Sequence, residues 1–292
     1  MTLYRLHHLT RYEYKAPVVH AHHVARMRPR SSSWQRVLNT KLEVIPLPTL
    51  VTSIRDYEGN EQDLFEILQD HDVLEVTATS EVEPLPRFEA GRLEDHRLAW
   101  EQARLEPQAV FSDITDYSLD SPLVRVHADL MSYALPSFAA NRPLIEAINE
   151  LNLRIFEEFS YDPSATDVST PLGEVLREKR GVCQDFAHLA IGCLRSLGLA
   201  ARYVSGYLET APPPGSPRMV GADASHAWAE VRVPDLGWLE FDPTNAVFPG
   251  TSYIRLAHGR DFSDVSPLKG VVLGGGRHTL TVEVDMARIV PS

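Results

Sequence analysis

The stretch KRGVCQDFAHLAIGCLRSLGL, residues 179–199, decides the fold and contains both cysteines of the 292-residue chain. After Gly181, apolar residues recur at three-to-four spacing, the pattern of a helix that is buried along one side. The residues of this stripe are Phe186, Leu189, Ala190, Cys193, Leu194 and Leu197. Cys193 lies inside the stripe and is therefore predicted to be a small buried hydrophobe.

Cys183 lies outside the stripe, in the first turn of the predicted helix. There the unpaired N–H groups and the positive end of the helix dipole stabilise a thiolate. The same N–H groups point at the space where an acyl oxyanion would form. A disulfide to Cys193 is excluded within one helix, because ten residues at about 1.5 Å each separate the two by roughly 15 Å. This stretch alone leaves two interpretations of Cys183 open: a nucleophile or a structural cysteine packed under a loop.

A base and an orienting group follow in ASHAWAEVRVPDLGWLEFDPTN, residues 224–245. HAWAEVRV alternates as a strand, residues 234–237 carry a turn signal, and GWLEFDP is the returning strand. His226 begins the first strand and Asp242 lies near the end of the second. Their even separation permits side chains on the same face of an antiparallel pair. A carboxylate beside an imidazole fixes its tautomer and orientation, so the pattern favours nucleophilic catalysis by Cys183.

These two segments together resemble the transglutaminase-like superfamily, in particular bacterial members with a β-rich region ahead of the core. The family pattern is a cysteine that opens a helix, a histidine in His-Ala-Trp and an aspartate in Asp-Pro-Thr. Cys183, His226 and Asp242 match these positions in family order. The resemblance implies a papain-like α+β core with a Cys–His–Asp triad. It also implies acyl transfer on a peptide or protein carboxamide through a thioester.

The resemblance leaves the final reaction open, because relatives include hydrolases, enzymes that cross-link glutamine to amines, and non-catalytic binding or assembly modules. Hydrolysis is modestly favoured, since no feature of the sequence visibly protects a thioester from water. The three residues could also bind zinc, although the resemblance favours catalysis. We predict no metal and no cofactor, and calcium activation is not inherited because no acidic loop has EF-hand spacing.

Four further residues are candidates for the oxyanion hole or the substrate cleft. The backbone N–H of Gln184 is expected to stabilise the oxyanion together with that of Cys183. Cross-linking relatives place a tryptophan ahead of the cysteine for this purpose, and here Tyr161 is the nearest aromatic donor. Trp228 and Tyr207 are candidates to line the cleft, although packing explains either residue equally well.

The expected fold class is α+β, with an antiparallel β domain over residues 1–85, a connector over 86–122 and the catalytic core over 123–292. The first part alternates as strands in LYRLHHLTRYEY, LNTKLEVIPL and VLEVTATSEVE. Helical spacing follows in 123–134, 144–159 and LGEVLREK. The Pro-rich segment 211–217 is predicted to be a surface loop, and the glycine run 274–276 a hairpin turn rather than a phosphate loop.

The composition of the chain argues against partners that bind basic proteins. The net charge of −12 argues against binding to nucleic acid or to an acidic membrane surface, because both need an excess of Lys and Arg. No run approaches the roughly 18 apolar residues of a membrane span, and the first residues lack the apolar segment of a signal peptide. Two cysteines do not make a disulfide framework, so a cytoplasmic setting is expected. The oligomeric state is not predicted.

The histidines near the N-terminus are a possible metal site, since imidazole is a common zinc ligand. They are His7, His8, His20, His22 and His23. The adjacent pair His7 and His8 would face opposite sides of a strand, and no cysteine accompanies them. We therefore interpret all five as ordinary strand histidines.

Overall fold

The computed structural model describes residues 2–88, 92–93, 95–104, 114–210 and 225–289. The predicted Pro-rich loop at 211–217 and part of the connector lie outside these residues. The chain has the predicted α+β architecture, with two antiparallel sheets and a set of helices that covers the second sheet.

The first sheet has seven strands arranged around β1 (Leu3–Ala25), the longest of them. The other strands are β2 (Gln35–Ile45), β3 (Leu50–Arg55), β4 (Glu61–Ile67), β5 (His71–Pro84), β12 (Leu268–Gly274) and β13 (His278–Ile289). The order is β2-β5-β1-β4-β3, and β12 and β13 both pair with β1. Buried and more exposed residues alternate along β5, as expected for a sheet that packs against a core on one side.

The C-terminal strands belong to this N-terminal sheet. β13 pairs with the first half of β1, from Leu3 opposite Ile289 to Tyr14 opposite His278, and β12 pairs with the second half. The glycine run 274–276, whose φ angles are all positive, therefore joins two strands that lie along the same partner. The hairpin turn predicted for residues 274–276 is therefore wrong, because β12 and β13 each pair with β1. In addition, the range 123–292 predicted for the core contains these two strands of the N-terminal sheet.

The second sheet has four antiparallel strands in the order β10-β9-β8-β11. Its strands are β8 (Ala201–Leu208), β9 (Ser225–Val233), β10 (Gly237–Phe241) and β11 (Tyr253–Gly259). The helices are α1 (Trp100–Arg104), α2 (Ala128–Ala134), α3 (Leu144–Glu158), α4 (Leu172–Glu178), α5 (Cys183–Ser196) and α6 (Phe262–Val265). Two short parallel strands, β6 (Ser160–Tyr161) and β7 (Arg180–Gly181), lead the chain into α5.

Helix α5 is the centre of the main hydrophobic core, and all six residues of its predicted apolar stripe are buried there. The stripe packs on the face of β9 that carries Ala227, Ala229, Val231 and Val233. Each large apolar side chain buried in this way contributes about 1.5–3 kcal/mol. The second half of residues 179–199 thus anchors the helix and fixes the position of its first turn.

The opposite face of the second sheet packs against the N-terminal sheet. A separate apolar cluster joins Tyr4, Leu6, Val82, Val284 and Met286 of the first sheet to Tyr207, Ile254 and Leu256 of the second. Paired hydrogen bonds strengthen this junction: the Gln35 amide donates to the Arg255 carbonyl at 2.7 Å and accepts from the Arg255 N–H at 2.8 Å. The N-terminal sheet is therefore packed directly onto the layer that carries the candidate site.

Candidate active site

Cys183 is the first residue of α5 and is half-buried at the edge of a cleft. The Asp185 carboxylate caps the helix by accepting from the Val182 N–H at 2.8 Å and from the Thr166 hydroxyl at 2.6 Å. The N–H groups of Cys183 and Gln184 lie in the first turn of α5, where the helix provides no carbonyl to accept from them. These two groups are the donors that an oxyanion beside the sulfur would meet.

Cys193 has a different environment from Cys183, although both belong to the same helix. Its side chain is fully buried in the main core, as predicted. Burial raises the pKa of the Cys193 thiol to about 12, because a thiolate would have no solvation there. Cys193 is therefore a packing residue, and only Cys183 borders the cleft.

The strand pair β9–β10 brings His226 and Asp242 together. Phe241, the last residue of β10, lies opposite Ala229, so the following Asp242 is diagonal to His226 across the hairpin. The His226 Nε2 atom lies 2.7 Å from the Asp242 Oδ2 atom. The hairpin predicted from strand alternation is thus confirmed, and the carboxylate binds one of the two ring nitrogens of His226.

Asp242 is held by three donors besides His226. The Tyr253 hydroxyl and the Asn245 amide each donate to Oδ2 at 2.7 Å, and the Thr244 N–H donates to Oδ1 at 2.9 Å. The carboxylate itself is fully buried. Burial opposes its ionisation, but the hydrogen bonds from His226, Asn245 and Tyr253 outweigh burial and lower the pKa of Asp242. Asp242 therefore remains an anion at neutral pH.

The pKa of His226 is raised from 6.5 to about 9. Burial disfavours the imidazolium, but hydrogen bonds and charge interactions with Asp242 and Cys183 more than offset it. Cys183 and His226 line the same cleft, and Cys183 is among the groups that raise the pKa of His226. His226 is therefore protonated at neutral pH, with Asp242 beside it as the counter-charge.

The cleft has a volume of about 510 Å³ and lies between the two parts of the fold. Tyr161, Val168 and Val182 line it near Cys183. The N-terminal sheet supplies further lining residues, namely His8, Thr10 and Tyr12 from β1 and Leu280 and Val282 from β13. The N-terminal sheet therefore shapes the surface that a ligand of Cys183 would meet.

The four secondary candidates fall into two groups. Gln184 and Tyr161 line the cleft beside Cys183, and Tyr161 is 57% exposed. Trp228 and Tyr207 are buried and are absent from the described cleft lining. The buried Trp228 ring instead stacks on the His226 ring, with centroids 6.0 Å apart. Trp228 therefore packs against the imidazole and helps to hold its orientation.

Tyr207 links the two sheets instead of facing the cleft. Its hydroxyl lies 2.7 Å from the His8 Nδ1 atom, and the His8 Nε2 atom lies 3.2 Å from the Thr10 hydroxyl. Burial, with a smaller effect from His7, lowers the pKa of His8 to about 4, so His8 is neutral at physiological pH. His8 thus contributes an uncharged polar side chain to the lining of the cleft.

Sequence reasoning did not identify Tyr253 and Asn245, the two side chains that fix Asp242 together with His226. Asn245 follows the Asp-Pro-Thr motif directly, so its proximity to Asp242 was a readable signal. Tyr253 begins β11, a strand that pairs with β8. Its contact with Asp242 depends on sheet packing and had no local signal in the sequence.

A cysteine at a helix start and a His–Asp pair on a facing hairpin define the class of papain-like cysteine folds. Two family models match the chain: the bacterial transglutaminase-like N-terminal region over residues 4–83 and the transglutaminase-like superfamily over residues 134–243. The chain belongs to the transglutaminase-like superfamily.

Some similar proteins match nearly the whole chain and others match only part of it. An uncharacterized protein of Mycobacterium tuberculosis is 39% identical over 97% of this chain and 92% of its own length. A protein-glutamine gamma-glutamyltransferase of Pseudomonas aeruginosa is 32% identical over 32% of this chain and 15% of its own length. The crystal structure of a candidate cysteine protease from Cytophaga hutchinsonii has a TM-score of 0.77 at 18% identity, covers 100% of this chain and 92% of its own, and shows the same fold.

Among the described residues, no helix is long and apolar enough to cross a membrane.

Proposed function

We propose that the protein is a cysteine enzyme that transfers the acyl group of a peptide or protein carboxamide through a thioester on Cys183. The observation that carries this proposal is the 2.7 Å contact between His226 and Asp242, with His226 and Cys183 lining the same cleft. Membership of the transglutaminase-like superfamily supports it.

In the acylation step, the Cys183 thiolate attacks the carboxamide carbon and forms a tetrahedral oxyanion. The N–H groups of Cys183 and Gln184 stabilise that oxyanion at the start of α5. The C–N bond then breaks as the His226 imidazolium donates its proton to the leaving amine. Asp242 keeps the imidazole in its orientation and balances its charge throughout.

In the deacylation step, neutral His226 removes a proton from water or from an amine as that nucleophile attacks the thioester. The acyl group then leaves the sulfur as an acid or as a new amide, and Cys183 returns to the thiolate. We infer that water is the main acceptor. Tyr161, beside Cys183, is 57% exposed, so this side of the cleft is open to solvent.

The cleft favours an uncharged segment of substrate. Along the part of the lining that the structure describes, no Asp, Glu, Lys or Arg is present. Tyr12, Leu280 and Val282 from the N-terminal sheet supply apolar surface, and His8 is neutral. The His226 charge is already balanced by Asp242, so a charged substrate side chain would lose its hydration here without gaining a free partner, which disfavours it relative to a neutral amide or aliphatic group.

Alkylation with iodoacetamide near neutral pH, followed by mass spectrometry, tests the nucleophile. Cys183 should react much faster than Cys193, which is fully buried, and His226→Ala should slow the reaction of Cys183. His258→Ala is the matched control, since His258 lies on β11 away from the cleft lining. Slow and equal labelling of both cysteines would rule out the enzyme and favour the alternative, a binding or assembly module.

A glutamine peptide incubated with and without a primary amine then distinguishes the two acyl acceptors. Release of ammonia with no amine adduct identifies a hydrolase, and an adduct identifies a transglutaminase. Cys183→Ala should abolish both products. Ammonia release that persists in this variant would contradict the proposed thioester.

A further inference from the structure

Three side chains with metal-ligating atoms converge on the N-terminal sheet, away from the catalytic cleft. His20 and His22 are two residues apart on β1, so they lie on the same face of the strand. Glu66 on the neighbouring strand β4 is the register partner of His22 and a diagonal neighbour of His20. None of the three belongs to the described lining of the cleft.

The ligand atoms of this cluster already lie close together. The Glu66 Oε1 atom is 2.8 Å from the His20 Nε2 atom and 3.3 Å from the His22 Nε2 atom. All three ligand atoms lie within 4.8 Å of one another. Ligands at the usual Zn–N and Zn–O distances of a tetrahedral site are separated by about 3.3 Å. Small side-chain rotations would therefore place the three atoms around one ion.

We propose that His20, His22 and Glu66 form a Zn²⁺ site on the outer surface of the N-terminal sheet. Two imidazoles and one carboxylate are a zinc donor set that leaves a fourth position for water. Solvent reaches the cluster, since the His22 side chain is 64% exposed. An ion there would clamp β1 to β4 and stabilise the folded state.

His7 and His8 are adjacent and therefore face opposite sides of β1, which separates their side chains. His20 and His22 are two residues apart, so the same alternation places both on one side. The third ligand, Glu66, is far away in the sequence and reaches the pair only through the pairing of β1 with β4.

Zinc titration of tag-free full-length protein tests the site, with competition against a chromogenic chelator to obtain the dissociation constant. The Cys183→Ala variant is the background, because it removes the catalytic thiol as a zinc ligand and makes the test independent of the proposed acyl transfer. We expect one equivalent of Zn²⁺ and a higher melting temperature with the ion. Co²⁺ in place of Zn²⁺ should give the visible absorption of a tetrahedral site.

In this background, His20→Ala, His22→Ala and Glu66→Gln should each weaken Zn²⁺ binding at least tenfold. His7→Ala is the matched control on the same strand and should bind like the parent. Far-ultraviolet circular dichroism without metal establishes that each variant is folded; a variant that fails this check is replaced by His20→Gln or His22→Gln. Stoichiometric binding that is insensitive to all three positions, or no binding at micromolar Zn²⁺, would overturn the proposal.

Discussion

Replacing Asp242 with asparagine tests the interaction between the Asp242 carboxylate and the His226 imidazolium. The pKa of His226 is raised from 6.5 to about 9, and each pKa unit corresponds to about 1.4 kcal/mol, so the imidazolium is favoured by about 3 kcal/mol. Burial lowers the pKa of His226, and the interactions with Asp242 and Cys183 together raise it by more. Asparagine keeps the shape of the side chain and removes its charge. We expect Asp242→Asn to lower the pKa of His226 by about one to two units.

The sign of the effect on stability follows from linkage. Because the pKa of His226 is higher in the folded state, its contribution is complete below pH 6.5 and is lost as the pH rises through about 9. Asp242→Asn should therefore cost more unfolding free energy at pH 6.5 than at pH 10, by about 1–3 kcal/mol. Urea denaturation at the two pH values measures the difference.

Histidine NMR gives the direct readout. The His226 ring resonance, identified among the 12 histidines by its loss in His226→Gln, should titrate near pH 9 in the parent and at lower pH in Asp242→Asn. Asp235→Asn is the matched control: the same change at an exposed turn of the same hairpin, where a positive φ also suits asparagine. An unchanged titration in Asp242→Asn would refute the assignment of the shift to this carboxylate.

Two further substitutions test the packing around the site. Tyr253→Phe removes one donor from the buried Asp242 carboxylate and should cost about 1–3 kcal/mol of unfolding free energy, measured by urea denaturation; an unchanged midpoint would contradict that contact. Gly206→Ala would drive a methyl group into the Ile254 carbonyl oxygen and the Trp228 ring and should cost about 1–3 kcal/mol, whereas Gly173→Ala, with its nearest neighbour at 3.8 Å, should leave stability unchanged or raise it.

The N-terminal sheet matches a family model of its own and also lines the cleft that contains Cys183. It buries apolar side chains against the layer that carries His226 and supplies one wall of the cleft. The hydrogen bond between His8, which lines that wall, and the buried Tyr207 joins the two sheets. The two family regions therefore act as one structural unit around Cys183.

The sequence determined the parts of the site that depend on local periodicity. The apolar stripe of α5 separates Cys193 from Cys183 because a helix repeats every 3.6 residues. The even spacing of His226 and Asp242 within one hairpin places both on one face because strands alternate every two residues. Both patterns act over a few turns or one reversal of the chain, so the sequence displays them directly.

The tertiary structure decided everything that depends on contacts between distant segments. It places β12 and β13 beside β1, moves Trp228 and Tyr207 from the expected cleft lining into the interior, and brings Tyr253 to Asp242. It also joins Glu66 to the two histidines of β1. Such contacts arise from strand pairing and sheet packing between segments that are far apart in the sequence. No local pattern of residues relates these segments, so the contacts are visible only in the folded chain.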